Sequence, residues 1–442
     1  MKKTKFKLTP FQIIILGFAG TILIGALLLM LPIASKAGVV TPFNKTLFTS
    51  TSAVCVTGLV LLDTATYWSL FGQIVILILI QVGGLGVVTV ASVIVMLAGG
   101  KISLMQRQTM QNALSVPQLG GVVKLTRFIV VSVFVVELIG ALLLLPVFCT
   151  KYGAEGIWMS IFHSISAFCN AGFDVMGSKT GEFSSLTSFQ GDVYLNLVIT
   201  FLIVIGGIGF LTWDDIVTKR FKSRAYKMQS KVIIVTSLAL ILFPFLLFFF
   251  SDFADYPMKN RFCAALFQSV TTRTAGFNTA DFSEMNSSGR AVVMMLMMVG
   301  GSPGSTAGGM KTTTIAILCA NVFAVFMKRD NVHFFGRRIE DSVIKNAATI
   351  LFMYAFLSLS GSFIISSVEN LPLDMCLFET MSAIGTAGLT RGITSGLGIL
   401  SQTILIILMF LGRVGGLTLI YAAFSRRDNY TSKYPVENIM VG

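Results

Sequence analysis

Ser52-Ala-Val-Cys-Val-Thr-Gly58-Leu59, Ser166-Ala-Phe-Cys-Asn-Ala-Gly172-Phe173, Val270-Thr-Thr-Arg-Thr-Ala-Gly276-Phe277 and Ser382-Ala-Ile-Gly-Thr-Ala-Gly388-Leu389 are four versions of one phrase. In each, the glycine follows a small residue and precedes Leu or Phe. Successive glycines lie 114, 104 and 112 residues apart (58 to 172, 172 to 276, 276 to 388). One such triplet is an ordinary small-residue packing motif. Four at near-constant spacing form an internal repeat, with a unit too long for a solenoid.

Working outward, a short, moderately apolar stretch precedes each phrase: Pro42–Ser52, Ile157–Phe168, Pro257–Thr272 and Pro372–Ile384. Each reads as a half-helix, tolerated at membrane depth only inside protein or beside a cavity. Longer apolar runs flank them at 11–31, 69–97, 128–148, 193–216, 232–250, 289–328, 343–366 and 397–424. Each meets the requirement of about 20 residues for a crossing. The expected architecture is an all-α membrane protein. It has eight transmembrane helices and four re-entrant half-helices in four helix–loop–helix repeats around a pseudo-four-fold pore. The repeats span 1–100, 101–222, 223–330 and 331–442.

Composition agrees. Hydrophobic residues make up 54% of the chain and charged residues 12%, against roughly a quarter charged in soluble proteins. The net charge of +13 is not a nucleic-acid footprint. The basic residues gather in short runs beside the apolar stretches: Lys2–Lys7, Lys101–Arg127, Lys219–Lys231, Lys328–Lys345 and Arg426–Lys433. That is the positive-inside pattern, with both termini expected in the cytoplasm. The N-terminal run 11–31 is too long for a signal peptide's apolar core of about 7–15 residues, so it reads as a retained first helix. The six cysteines form no C-x-x-C pair, so neither a zinc site nor a disulfide framework is expected.

Four glycines around one axis suit a monovalent cation. A dehydrated cation needs oxygen ligands of fixed geometry, which backbone carbonyls of an extended strand supply. Glycine permits the backbone angles that turn carbonyls inward and lets four strands crowd together. The half-helices would aim their partially negative C-terminal ends at the centre. The expected ion-binding residues are Val56, Thr57 and Gly58; Asn170, Ala171 and Gly172; Thr274, Ala275 and Gly276; and Thr386, Ala387 and Gly388. Asp174, Asp281 and Glu379 lie nearby; each singly reads first as ordinary solvated loop charge, and together they are candidates for a mild negative field at the mouth. Arg273 sits inside the third phrase, and its side chain is expected to point behind the filter.

The run 289–328 is interrupted by Gly300-Gly-Ser-Pro-Gly-Ser-Thr-Ala-Gly-Gly-Met-Lys311, which cannot hold a regular helix. A flexible loop obstructing the pore is expected here, through Gly300, Gly301, Gly304, Gly308, Gly309 and Lys311. The spacing from Gly304 to Gly309 resembles a phosphate-binding loop, but Met310 stands where lysine is required. Arg413, within Gly412-Arg-Val-Gly-Gly416, is a charge inside an apolar run and a functional candidate by default. Glu137 is the other; pairing with a base and facing a subunit interface are both open to it. Asp214 and Asp215 fall at the cytoplasmic end of their run.

The four phrases, Thr271-Thr-Arg-Thr-Ala-Gly-Phe-Asn278 above all, resemble the Trk/Ktr/HKT superfamily of potassium transporters over almost the whole chain. The chain looks like a bacterial Ktr membrane subunit (KtrB-type), since it begins directly at the first repeat. The resemblance implies one filter glycine per repeat, and Gly58 in the first repeat implies potassium rather than sodium. It implies a homodimer in the plasma membrane, in contact with lipid and seated on a cytosolic ring of nucleotide-binding, RCK-type regulatory subunits docked on the basic loops. It implies no intrinsic cofactor, potassium as the transported ion, sodium as a candidate activator, and nucleotide bound only by the partner. The terminal Gly442 resembles the family's C-terminal glycine near the dimer interface. Arg413 is implied to lie next to the gate loop, contacting its carbonyls and repelling cations while it is closed.

Three other readings compete. An intramembrane hydrolase would need a base, yet the only histidines, His163 and His333, fall on opposite expected sides. A coupled secondary transporter usually carries midplane carboxylates and inverted repeats; Glu137 is nearly alone. A sodium-selective or poorly selective pore is the nearest alternative.

Overall fold

The computed structural model describes residues 9–99, 102–114, 121–220, 222–280, 282, 285–423, 435 and 437. Asp281, Lys101, Arg426, Arg427, Lys433, Gly442 and the N-terminal lysines lie outside them.

The described chain is helical apart from a small hairpin, His333–Phe334 paired antiparallel with Arg337–Arg338. Four helices are long and apolar enough to cross a membrane: Pro10–Met30, Val122–Tyr152, Met228–Phe250 and Asp341–Glu369. We call these the outer helices. Each is followed by a half-helix: Phe43–Cys55, Glu155–Phe168, Met258–Thr271 and Leu373–Gly385. Prolines set three of the half-helix starts, Pro42, Pro257 and Pro372 standing at the N-cap. There the ring fixes the backbone and no N–H is lost to the helix.

The segments after the phrases, which we call the inner helices, are broken. The run 69–97 is not one span but Leu70–Leu85 and Val87–Leu97, bent by 97° at Gly86. The run 193–216 is likewise Val193–Ile208 and Phe210–Lys219, bent by 97° at Gly209. The third inner segment is Ser287–Met298, a loop, and Thr312–Phe326; the fourth is Ile399–Val414 and Gly416–Ala423. The expectation of one unbroken helix therefore fails at glycine in the first, second and fourth inner runs, while 289–328 is interrupted as its sequence predicts. Gly86, Gly209 and Gly415 take φ of 84°, 97° and 87°, which side-chain-bearing residues rarely adopt.

Outer helix and half-helix pack tightly because small residues face each other. A Cβ on Gly25 would fall 2.4 Å from Ser50 Oγ, and one on Gly140 would fall 2.4 Å from Ser164 Oγ. Those hydroxyls donate to the carbonyls of Ile22 (2.7 Å) and Glu137 (2.6 Å). Without water nearby, such polar groups must be paired within the protein. The opposite faces of the outer helices carry exposed Leu23, Ile24, Leu27, Leu138 and Leu142. A wide apolar surface of this kind suits lipid rather than water. The chain is a helical membrane protein.

Candidate functional site

The four phrases meet at one place and share one backbone conformation. The residue two before each glycine, and the glycine itself, have positive φ. The pairs are Val56 (57°) and Gly58 (94°), Asn170 (58°) and Gly172 (70°), Thr274 (72°) and Gly276 (77°), and Thr386 (51°) and Gly388 (79°). For β-branched Val56, Thr274 and Thr386 this is strained backbone. Left-handed residues alternating with ordinary ones rotate successive peptide planes toward the same side.

Local bonds hold the strain. After the first, second and fourth half-helices, Thr57, Ala171 and Ala387 each donate a backbone N–H to the carbonyl five residues earlier, at 2.8 Å. This is the helix-ending bond that follows a left-handed cap. In the third, Ala275 reaches back only four residues, to Thr271 (3.0 Å). Hydroxyls brace the far side: Ser166 Oγ donates to the Phe173 carbonyl (2.7 Å) and Thr271 Oγ1 to that of Phe277 (2.6 Å).

The glycines close a ring in chain order. A Cβ on Gly58 would stand 2.6 Å from the Ala171 carbonyl oxygen, and one on Gly172 would stand 2.8 Å from that of Ala275. One on Gly276 would stand 3.1 Å from the Ala387 oxygen, and one on Gly388 only 2.0 Å from that of Thr57. Each glycine thus faces the carbonyl just before the next glycine. A side chain at any of the four would push into carbonyl oxygen.

A cavity of about 520 Å³ opens on one side of the ring and touches all four glycines. Asp63, Asp174, Asn278, Thr390 and Arg391 are among its walls. Asp174 is held beside Asp63, and burial pushes its carboxyl up to about 7 from the ordinary 3.8. Glu379, expected to add field at the mouth, is fully buried. It accepts from Thr390 Oγ1 (2.5 Å), Arg391 N (3.0 Å) and Thr394 Oγ1 (2.7 Å), so it pins the rim loop. Arg391 in turn pairs with Asp374 at 2.5 Å.

On the other side lies the loop between Met298 and Thr312, where the sequence expected an obstruction. Its neck is closed by Gly300 N on the Met310 carbonyl (2.8 Å) and Thr312 N on that of Gly301 (3.1 Å). Gly308 and Gly309 lie against the fourth phrase, their Cβ positions 2.2 Å from Thr386 Oγ1 and 2.7 Å from the Gly385 oxygen. Gly301 packs on Ala307, and Gly304 accepts from Phe210 N (2.8 Å). Lys311 Nζ turns back onto the Ala307 carbonyl (2.9 Å). Arg413 donates to the Thr306 carbonyl of the loop and to the Gly83 carbonyl of the first inner helix. Below the loop a second cavity of about 240 Å³ is lined by Gly304, Ala307, Lys311, Arg413 and Leu114.

Arg273 turns away from the ring. Its Nη1 and Nη2 reach the carbonyls of Ser237 and Gly300, both at 3.5 Å. Among the described residues Glu137 pairs with no base. It is buried, accepts from Gln81 Nε2 at 3.1 Å, and lies 3.8 Å from Cys169 Sγ behind the second phrase. Asp215 is buried as well, joining Lys219, Ser230 and the Lys227 N–H.

Two features escaped the sequence reading. Thr306 is a knot: its Oγ1 donates to the Phe168 carbonyl (3.0 Å) and accepts from Asn170 Nδ2 (3.0 Å). The other is a second four-fold recurrence, 24 to 34 residues after the ring glycines: Gly83-Gly-Leu-Gly86, Gly206-Gly-Ile-Gly209, Gly300-Gly-Ser-Pro303 and Gly412-Arg-Val-Gly415. Its first glycine abuts the end of its own half-helix in three cases. Cβ atoms on Gly83, Gly206 and Gly412 would stand 2.1, 1.9 and 2.1 Å from the carbonyls of Val54, Phe168 and Ile384. Arg413 occupies the place of Gly84, Gly207 and Gly301.

Known proteins resemble the chain in sequence and in fold. Residues 3–433 match the TrkH family model, described as a cation transport protein. The chain is 38% identical to the potassium/sodium uptake protein NtpJ of Enterococcus hirae, over all of this chain and 99% of that one. It is 37% identical to the Ktr system potassium uptake protein B of Bacillus subtilis, over 99% and 97% of the two chains. Among solved structures, the potassium transporter TrkH of Vibrio parahaemolyticus superposes with a TM-score of 0.73 at 18% identity, covering 95% of this chain and 86% of that one. These matches make the chain a transport protein and not an enzyme, and it belongs to the TrkH family of cation transport proteins.

Proposed function

We propose that this chain takes up potassium across the plasma membrane through a single pore on the axis of the four phrases. Four repeats of outer helix, half-helix and inner helix surround it, giving eight crossings with both termini cytoplasmic. The carbonyls of residues 56–58, 170–172, 274–276 and 386–388 replace the ion's water, one glycine per repeat setting the width. Loop 300–310 obstructs the path below, with Arg413 and Lys311 as positive charges that raise the barrier to a cation. The chain works as a homodimer on a cytosolic nucleotide-binding ring, in keeping with the Ktr system named for its relatives. The observation that carries this reading is the closed cycle in which each ring glycine faces the carbonyl before the next.

The test is rubidium and sodium uptake into potassium-depleted cells lacking their own uptake systems, with the regulatory ring co-expressed. Wild type should take up rubidium, and Gly276→Ser should weaken uptake or lose preference over sodium. Uptake untouched by the substitution would leave a transporter without this filter. No uptake even with the ring present would sink the potassium reading. The second reading, a pore that passes sodium as well, is favoured by the potassium/sodium name of one full-length relative, and the same experiment decides it.

A further inference from the structure

We propose that Arg273 is a positioning residue that ties the third glycine phrase to the neck of loop 299–311, so that ion binding in the ring and closure of the loop bias one another. This rests on the uptake reading above.

Three residues before the ring glycines stand Cys55, Cys169, Arg273 and Gly385. Three of the four are small and uncharged, and the third phrase alone carries a long cation. The third inner segment is also the one that has left its place. Gly83, Gly206 and Gly412 pack directly on the ends of their own half-helices, whereas a Cβ on Gly300 would meet the Gly308 carbonyl at 2.1 Å. The closest packing of this glycine, on its own half-helix in three repeats, is therefore within the loop in the third. The guanidinium of Arg273 reaches from the phrase to Gly300.

Gly300 is the hinge of the neck. Its N–H is taken by Met310, and its neighbours Val299 and Gly301 bridge to Met310 and Thr312. Its carbonyl is left for Arg273. The second Nη holds Ser237 of the third outer helix, which anchors the arginine on a part that need not move. Among the described residues Arg273 has no acidic partner, and its Nε is buried without one. A cation kept inside the membrane region on carbonyls alone is expensive, so its contacts should be kept for what they position.

Arg273 is also one residue from Thr274, whose φ of 72° begins the strained stretch of the third phrase. An ion drawing the Thr274–Gly276 carbonyls inward would shift the root of the arginine, and through it the neck. Arg413 grips the loop elsewhere, at Thr306, and ties it to the first inner helix. The two arginines therefore do different things: Arg413 fastens the crown, and Arg273 links the neck to the ring. Coupling of this kind is reciprocal, so the state of the neck must also change how tightly the ring holds potassium, by the same factor.

The test uses the full chain with its cytosolic ring, in membranes. Ser305→Cys, in a Cys319→Ser background, reports the loop through its rate of maleimide labelling from the inner side, with and without saturating potassium. With Arg273 present, labelling should differ several-fold between the two conditions. With Arg273→Gln it should become independent of potassium, at a rate roughly ten-fold above that of the parent protein measured without potassium, the size expected from losing one charge-assisted bond. The rubidium-to-sodium uptake ratio should stay as in wild type, which a purely structural role in the phrase would not allow. Arg273→Lys, which keeps the charge but not both grips, should retain part of the potassium dependence and carries the test if the glutamine variant does not reach the membrane. Potassium-dependent labelling that survives in both variants overturns the inference. So does wild-type rubidium uptake with labelling indifferent to potassium. Absence of wild-type uptake would instead strike the uptake reading.

Discussion

The ring of four glycines and the break beneath it are both built from glycine, both four-fold in sequence, and opposite in how they use it. In the ring the four copies share one backbone, alternating positive φ at matching positions and closing on each other through the same carbonyl. In the break the four copies take three different forms. Two are 97° bends at a single glycine, the third is opened into a loop, and the fourth replaces a glycine by Arg413. Equivalence is what a symmetric cage of oxygens requires. On the proposed reading, asymmetry is what a single obstruction of the path requires. Glycine serves the first by having no side chain to collide and the second by tolerating angles that side chains resist.

The largest effect that could break this contrast is alanine at the ring. The Cβ distances to carbonyl oxygen run from 2.0 Å at Gly388, through 2.6 Å at Gly58 and 2.8 Å at Gly172, to 3.1 Å at Gly276. All four positions also have positive φ, which costs alanine a further ~1 kcal/mol. Rubidium uptake should be lost outright in Gly388→Ala and fall least in Gly276→Ala, with the other two between. Gly20→Ala, with nothing within 4 Å of the added carbon, should behave as wild type. Equal loss at all four would say that the ring is a uniform filter with no slack anywhere. Normal uptake in Gly388→Ala would remove the ring from the ion's path.

The sequence made the ring legible and the break only in part, for a physical reason. A phrase such as Thr-Ala-Gly-Phe after a short apolar stretch carries its own punctuation, and four copies reinforce one another. The half-helix ends fell within a few residues of Cys55, Phe168, Thr271 and Gly385 because capping and proline are local signals. The bends at Gly86 and Gly209 were hidden because the apolar run continues through them, and apolarity reports length, not direction. Only the Gly-Gly-x-Gly pattern at 83 and 206, varied to Gly-Arg-x-Gly at 412, marks them. Long-range pairings had no signature at all. Nothing in the sequence ties Thr306 to Asn170, or Glu137 to Gln81, since both depend on how distant helices meet.

Within the break, the contrast sharpens between the two bends. Alanine at Gly86 meets nothing nearer than 3.8 Å, so only backbone strain opposes it. At Gly209 the added carbon would also fall 2.7 Å from the Pro303 oxygen of the loop. Strain alone is worth ~1–3 kcal/mol at such angles. Gly86→Ala should lower the melting temperature of the detergent-solubilised protein modestly. Gly209→Ala should lower it further and loosen the loop, measurable as faster labelling of the Ser305→Cys reporter. Equal melting temperatures with equal labelling would mean the loop does not lean on the second bend.

The smallest effect lies at the mouth, where Asp174 breaks the ring's four-fold equivalence from outside. Its carboxyl is pushed up to about 7 from 3.8, first by burial and then by neighbouring Asp63, against a pull from the Met176 N–H. The sign is that of an acid whose folded value is raised. Between about 3.8 and about 7 the folded protein holds a proton that the unfolded chain has given up. Stability therefore falls as pH rises through that window and levels off above it. Charge at the mouth moves the other way, appearing as pH passes about 7, with Asp63 already on the cavity wall and Arg391 engaged by Asp374. External cations should thus be gathered better at pH 8 than at pH 6, by less than the cost of any ring substitution, because the cavity is open to screening salt. Initial rubidium uptake at sub-saturating concentration should rise two- to three-fold over that interval, an order-of-magnitude figure for one partly screened charge. In Asp174→Asn the rise should vanish while the rate at saturating rubidium stays the same. A rise that persists in the asparagine variant would move the titrating group elsewhere and leave Asp174 a structural support for the Met176 turn.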